Sequence, residues 1–397
     1  MNFCFVSEVA PYRINEEVII TGGGEAHAFF LARELVKRGH TVKIVTARWK
    51  NAPKRESIDG VELIRYGHYA PWFEKSLPAT FGNTIRNMVG CFKILETLIR
   101  KDQPDFIITP MTFAFPRAFL LAKIHKIPLI AEVHDVYEMP LYLQHYKNDY
   151  GWLVYPGALY VWIYNNLPAY ADLVETVSPN NIDPLVKEYG VNRERIYVTR
   201  NGIDLKKYAY STEKQQVIVS LGRLVSYKRI DKVIRIFKEV KKRISNVQLL
   251  IAGDGPERKK LEALASNGIK FLGFVSEEQK IAILQKAKIL ISCSEFEGFG
   301  MVPIEGLACG AYPVLSAIPA HKEVIGGYGY LFQSIDQAVQ RICELLFDER
   351  ERENLCRIGR KFVESKYTWD NVCNNFLHMI NEFNRLQSCT KTENLIL

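Results

Sequence analysis

A chain of 397 residues exceeds the length at which one hydrophobic core usually keeps growing, which makes two domains the expected organisation. With 48% apolar and 24% charged residues it is neither disordered nor fibrous, and a formal charge of +8, spread in short runs such as Lys241, Lys242 and Arg243, suits anionic small molecules or anionic lipid rather than nucleic acid. Eight cysteines without a C-x-x-C pair argue against a disulfide or zinc framework and for free thiols in a reducing, cytoplasmic compartment.

The opening residues 1–10 read as a first strand rather than a signal peptide, with the strand itself over 2–6. An irregular loop then ends at Thr21-Gly22-Gly23-Gly24-Glu25, which opens a helix over 25–38 with Phe29, Phe30, Leu35 and Val36 apolar and Gly39 as its stop. Further strands are predicted over 42–46, 105–109, 129–133, 172–177 and 195–199. Before the fifth of these six strands lies an uncharged aromatic stretch, 151–171, with Trp152, Tyr155, Tyr160, Trp162, Tyr164 and Tyr170. It reads as a buried helix or as an interfacial patch; Pro156, Asn165, Asn166 and Pro168 argue against a membrane span.

A second series of strands follows a polar linker at 204–216, over 217–221, 247–252, 270–272, 289–292 and 312–315. A helical tail, 369–386, has no strand to return to. The expected fold is α/β: two doubly wound, Rossmann-like domains facing each other across a cleft, 1–208 and 209–368, with 369–397 as a C-terminal helix.

Chemistry concentrates in 295–310, where Glu297 and Glu305 flank the turn Gly298-Phe299-Gly300-Met301-Val302. If Pro303 takes the first position of a helix, the amides of Phe299 to Val302 form an anion site and Glu305 falls in the first turn. Alternatively Glu305 only complements the helix dipole and Glu297 is a surface residue. Arg223 and Lys228 sit between a strand and a helix start, where cations are costly unless an anion joins them; solvated charges balanced by Asp231 are the plainer reading. Gly22-Gly23-Gly24 and Gly253-Asp254-Gly255-Pro256 do not complete G-x-G-x-x-G, so the triplet is a close-approach loop or a flexible turn. His134 and Asp135 end a strand, either lining a cleft or bonded to a nearby carbonyl. No Asp-x-Asp pair and no His/Asp spacing for a metal occurs, so no metal site is expected.

In this order Gly22-Gly23-Gly24-Glu25-Ala26-His27, Asn201-Gly202-Ile203-Asp204, Arg223 with Lys228, Ala252 to Pro256, Gly273-Phe274-Val275 and Glu297-x7-Glu305 resemble the large family 4 of retaining GT-B glycosyltransferases, over nearly the whole chain. The resemblance implies a GT-B fold and transfer of a sugar from a nucleotide diphosphate-sugar to a glycan or lipid-linked acceptor, with no metal or other cofactor. It further implies that Arg223 and Lys228 hold the diphosphate, Glu305 the ribose, and Glu297 the transferred sugar, with the Phe299, Gly300, Met301 and Val302 amides beside them. Phe274 and Val275 would border the base, His134 would approach the sugar, and Gly23 and Gly24 would line the phosphate or acceptor side. The tail would cross back to the first domain. Gly310-Ala311-Tyr312-Pro313 departs from the family's Gly-Thr-Pro. An anionic membrane surface is a further expected partner, through 151–171 and the net positive charge, and would place the enzyme at the cytoplasmic membrane face. The rival readings are a GT-B nucleotide-sugar epimerase, which needs no acceptor, and a silent sugar-nucleotide-binding protein, which turns over no donor.

Overall fold

A computed structural model of the chain describes residues 1–14, 17–19, 23–49, 52–69, 77–110, 114–136 and 165–396, with Leu143, Tyr155, Leu159, Trp162 and Ile163. Thr21, Gly22 and most of the 151–171 stretch lie outside the described residues. The chain divides into two compact units, one built from Met1–Val136, Tyr160–Arg200 and Trp369–Leu397, the other from Tyr137–Leu159 and Asn201–Thr368.

The first unit carries β1 (Asn2–Val6), a small antiparallel hairpin of β2 (Tyr12–Ile14) and β3 (Glu17–Ile19), and then β4 (Thr41–Trp49), β5 (Arg55–Ile58), β6 (Val61–Tyr69), β7 (Phe106–Pro110), β8 (Leu129–Val133), β9 (Leu173–Thr176) and β10 (Ile196–Val198). Apart from the hairpin these form one sheet, ordered β10-β9-β8-β7-β1-β4-β6-β5, parallel throughout except at the β5–β6 edge. Strands β7 and β8 are buried along their whole length, as expected where helices cover both faces of a parallel sheet. Phe29, Leu31 and Leu35 of the helix Gly23–Lys37 pack in a core with Phe3, Phe5 and Ile44.

The β5–β6 hairpin was not among the expected strands. Its two-residue turn, Asp59-Gly60, has φ of 51° and 82°, the doubly positive geometry of a type I′ turn, for which an Asp-Gly pair is a sequence signal.

The tail is a 28-residue helix, Trp369–Ile396, that completes the first unit. Its Phe376 meets Phe3 edge-on at 5.9 Å, Trp369 packs on His27 and Phe30, and Asp370 pairs with Arg38.

The second unit holds β11 (Gln215–Leu221), β12 (Gln248–Ala252), β13 (Ile269–Gly273), β14 (Ala287–Ser292), β15 (Tyr312–Ser316) and β16 (Tyr330–Phe332), all parallel, in the order β13-β12-β11-β14-β15-β16. This is the 3-2-1-4-5-6 order of a doubly wound sheet, whose ligands bind beyond the carboxyl ends of the strands where the order reverses, here between β11 and β14. Residues 201–208 go with this unit: Ile203 N–H donates to the Tyr367 carbonyl at 2.7 Å, and the Tyr208 hydroxyl donates to Glu305 at 3.0 Å. Ala311 and Tyr312, which depart from the family pattern, are buried core residues.

Candidate active site

The loops leaving β11, β12 and β13 are laced together by backbone. Gly222 N–H donates to the Ala252 carbonyl at 3.0 Å and Gly253 N–H to the Gly273 carbonyl at 2.7 Å. Gly253 has φ of 137°, and a Cβ there would overlap the Gly222 carbonyl oxygen, so only glycine allows the two loops to meet this closely. Arg223 follows directly, exposed, its guanidinium donating to the Tyr227 hydroxyl at 2.8 Å. Tyr227 is buried and ties this loop to the one after β14: its carbonyl accepts from Glu295 N–H at 2.9 Å and its ring meets Phe296 edge-on.

That tie brings the two halves of the motif together. Lys228 Nζ donates to both carboxylate oxygens of Glu297 at 2.6 Å, with each side chain 17% exposed. Asp231, which the plainer reading set against Arg223 and Lys228, accepts instead from Nε and one terminal nitrogen of Arg229, which also pairs with Glu295.

The helix after the turn runs Met301–Cys309, so it starts two residues earlier than expected. Gly300 caps it in the left-handed region, with φ of 91°, and Pro303 is the third helical residue rather than the first. The first turn of a helix leaves its leading N–H groups without intrahelical acceptors, and proline has none to leave. The orphan donors are therefore the amides of Gly300, Met301 and Val302. Phe299 is buried, its ring against Tyr367.

The earlier start also moves Glu305 out of the first turn into the second, on the buried face. Its Oε1 accepts from Tyr208 Oη at 3.0 Å and Lys280 Nζ at 2.7 Å, while Oε2 is buried without a partner among the described residues. Burial and the Glu305 carboxylate push the Tyr208 hydroxyl far above its ordinary pKa. Gly306 lets the helix lie close on β14, since a Cβ there would press on the Leu290 side chain at 2.7 Å.

A residue not singled out from sequence, His321, stands beside Glu297. It lies in the helix Pro319–Ile325, is fully buried, and donates from Nδ1 to the Ser316 carbonyl at 2.8 Å. Its Nε2 is 3.9 Å from Glu297 Oε1 and has no hydrogen-bond partner among the described residues. Burial lowers its pKa; the bond to Ser316 and the Glu297 charge oppose that in part, and Lys228 adds a smaller lowering. Of the expected base neighbours, Phe274 is 87% exposed and Val275 partly buried.

In the first unit, His134 packs against bare backbone: a Cβ on Gly24 would sit 3.2 Å from its Cδ2. Burial, then the neighbouring His27, pushes the His134 pKa down to about 3, so it is a neutral imidazole at physiological pH. Gly23 begins the helix that carries Gly24. Behind it, His27, Glu132 and Glu175 form a buried group whose ligand-type atoms lie within 4.8 Å of one another. Such a group could hold a cation, although no metal spacing was visible in the sequence. Glu132 and Glu175 are register partners on β8 and β9, and burial with the Glu175 charge raises the Glu132 pKa well above the ordinary range. Glu132 therefore keeps its proton to a higher pH than an ordinary carboxyl, and neither of its oxygens has a hydrogen-bond partner among the described residues.

Two consecutive family models match the chain: Glycosyltransferase Family 4 over residues 21–207 and Glycosyl transferases group 1 over 204–362. The chain belongs to the group 1, family 4 type glycosyltransferases. It is 24% identical to an uncharacterised glycosyltransferase of Methanocaldococcus jannaschii, over 89% of this chain and 92% of that one. It is 22% identical to mannosylfructose-phosphate synthase of Agrobacterium fabrum, over 91% and 86%. Among solved structures, HepE of Anabaena in complex with UDP-glucose superimposes with a TM-score of 0.70 at 14% identity, covering 96% of this chain and 100% of that one. Sucrose-phosphate synthase of Thermosynechococcus elongatus gives 0.71 at 18% identity, covering 98% and 99%. The fold of this glycosyltransferase is accordingly GT-B, with two Rossmann-like units.

Within its second unit the glycosyltransferase joins Lys228 to Glu297, with Arg223 held to the same loop pair through Tyr227. Tyr208, Tyr227, Lys280 and His321 are the neighbours that sequence reasoning missed. Each comes from a segment remote from the residue it touches or carries no spacing rule of its own.

Proposed function

We propose that this glycosyltransferase moves a sugar from a nucleotide diphosphate-sugar to a glycan or lipid-linked acceptor, with retention at the anomeric carbon and without a metal ion. The observation that carries the proposal is the Lys228–Glu297 pair at the point where the strand order reverses, with Arg223 close by in sequence and the orphan Gly300 to Val302 amides following it. A cation already holding a carboxylate there is a place for a phosphate to enter. The HepE complexes with UDP-glucose and with UDP and glucose, on the same fold, support this reading.

Arg223, Lys228 and the amides neutralise the departing diphosphate. Glu297 faces the sugar and Glu305 Oε2 the ribose, while Phe274 and Val275 border the base. His134, Gly23 and Gly24 are assigned to the sugar and acceptor side by the family resemblance. The bond from the anomeric carbon to the diphosphate oxygen breaks, the bond to the acceptor oxygen forms on the same face, and the acceptor proton passes to the departing phosphate. No separate general base is required. Within the aromatic stretch Asn165, Pro168 and Ala171 are buried, whereas Trp162, Ile163 and Tyr170 of the first unit are exposed, and these exposed side chains support an interfacial patch and with it a lipid-linked acceptor.

A thermal-shift panel of nucleoside diphosphates and their sugars tests the donor class. A matching ligand at 100 times its dissociation constant adds about 2.7 kcal/mol of apparent stability, and no shift with any of them contradicts the reading. Turnover is expected to persist in excess EDTA; loss on chelation with recovery in magnesium or manganese contradicts metal independence.

A further inference from the structure

The Lys228–Glu297 pair that marks the proposed donor site also poses a problem for it. If a diphosphate claims Lys228, Glu297 loses the ammonium that holds both its oxygens at 2.6 Å, and a carboxylate only 17% exposed is left facing a new polyanion. Uncompensated buried charge is costly, so another donor must take it. The described neighbour in position is His321, with Nε2 at 3.9 Å from Glu297 Oε1, fully buried and without a partner.

The ring's other nitrogen decides what it can offer. Nδ1 lies 2.8 Å from the Ser316 carbonyl, an oxygen that can only accept, so Nδ1 carries the hydrogen. A neutral ring in that tautomer presents a lone pair at Nε2, and it can donate to Glu297 only by becoming an imidazolium. Burial disfavours that proton and Lys228 adds to it, against the pull of Glu297; removal of Lys228 to a diphosphate leaves that pull unopposed by a neighbouring cation. The charged groups facing the ring are Glu297 from the loop after β14 and Lys228 from the loop after β11; its own helix carries Lys322 and Glu323 alongside.

We infer that His321 is a positioning residue that takes over Glu297 when a donor diphosphate claims Lys228, with a proton entering from solvent at Nε2 as the diphosphate binds. A donor would then meet a carboxylate already re-anchored toward the sugar. The inference rests on the donor site proposed above.

Calorimetry of the whole protein with UDP-glucose, GDP-mannose and ADP-glucose, repeated in buffers of different ionisation enthalpy, reads the proton directly. These diphosphates are diesters with no oxygen titrating near neutral pH. The expected result is uptake of up to about one proton per site just above the ordinary imidazole pKa of about 6.5. His321→Asn keeps a donor for the Ser316 carbonyl and removes the titrating nitrogen: donor affinity should hold and uptake vanish. Slow hydrolysis of the donor by water, a readout needing no acceptor, should fall roughly 10²-fold in kcat, the scale for misplacing a group by about 1 Å. His321→Gln, a neutral donor near Nε2, should recover much of that kcat without proton uptake. Binding with no proton uptake in the unaltered protein overturns the handover alone, as does uptake that survives in His321→Asn. Absence of binding by all three sugars overturns the donor site and the handover with it.

Discussion

Glu297 and Glu305 lie eight positions apart, and in a glycosidase-like pair both carboxylates would act on the reacting carbon. Their surroundings differ, and the proposed function gives them different work. Glu305 is fixed by Tyr208 and Lys280 with one oxygen left over, so Glu305→Gln is expected to weaken nucleoside diphosphate binding by about 1.5 to 3 kcal/mol, the range for a hydrogen bond to a charged group, and to lower the unfolding midpoint as well. Glu297 accepts from Lys228, the cation proposed to take the diphosphate, so Glu297→Gln should leave nucleoside diphosphate affinity equal or higher while lowering kcat of donor hydrolysis. Calorimetry showing equal losses of affinity in both variants would refute the division. His134 gives a pH signature. Its folded pKa of about 3 lies below the ordinary 6.5, so beneath pH 6.5 the unfolded chain binds a proton that the folded chain refuses. Stability should then fall with falling pH, by up to about 1.4 kcal/mol per unit for such a group. Glu132, raised, acts with the opposite sign: its contribution is present at low pH and lost as pH rises through its folded value. Denaturant midpoints measured from pH 7 to 4 should flatten in His134→Asn, and an unchanged slope would show that this imidazole does not set the acid limb.

At the scale of elements, the site is made by loops that touch. The close approach of Gly253 to the Gly222 carbonyl holds the ends of β11 and β12 in register with each other, and a methyl group there would force them apart. Gly253→Ala is expected to cost about 2 kcal/mol or more in chemical denaturation, from backbone strain and overlap together, and to weaken donor binding through Arg223. A variant of unaltered stability would mean the loops yield freely. The same elements show what a sequence can carry. The strand series was legible because buried parallel strands are short β-branched runs, and Arg223, Lys228 and Glu297 because loops after such strands collect polar residues. The β5–β6 hairpin was legible too, in Asp59-Gly60, but β5 is charged and partly exposed, and the buried β6 has its apolar residues interrupted by Glu62 and Arg65. Helix placement failed by two residues at Met301, since a left-handed glycine cap overrode the proline signal. The Tyr227 tie and the Lys280–Glu305 bond join segments distant in sequence, and no local pattern announces them.

For the whole molecule, the membrane reading has a direct check. Among the described residues no helix is long and apolar enough to cross a bilayer. In the first unit, Trp162, Ile163 and Tyr170 are exposed, Tyr170 meets Phe119 edge-on, and the same helix as Phe119 exposes Leu120 and Ile124 beside Lys123. Aromatic and basic side chains together favour anionic interfaces, so the protein should co-sediment with phosphatidylserine vesicles at low salt, and Trp162→Ser with Ile163→Ser should release it. Failure of the unaltered protein to sediment would remove the membrane from the account. The helix Trp369–Ile396 bears on how the molecule is made. Phe376, Met379 and Ile380 belong to the same core as Phe3, Phe5 and Phe106, yet the ribosome must deliver all of residues 201–368 between them. At typical synthesis speeds of 5–20 residues per second that interval lasts roughly ten to thirty seconds, during which the first unit's apolar face waits uncovered on the nascent chain. The second unit can therefore be finished before the first is sealed, which reverses the usual order of vectorial assembly.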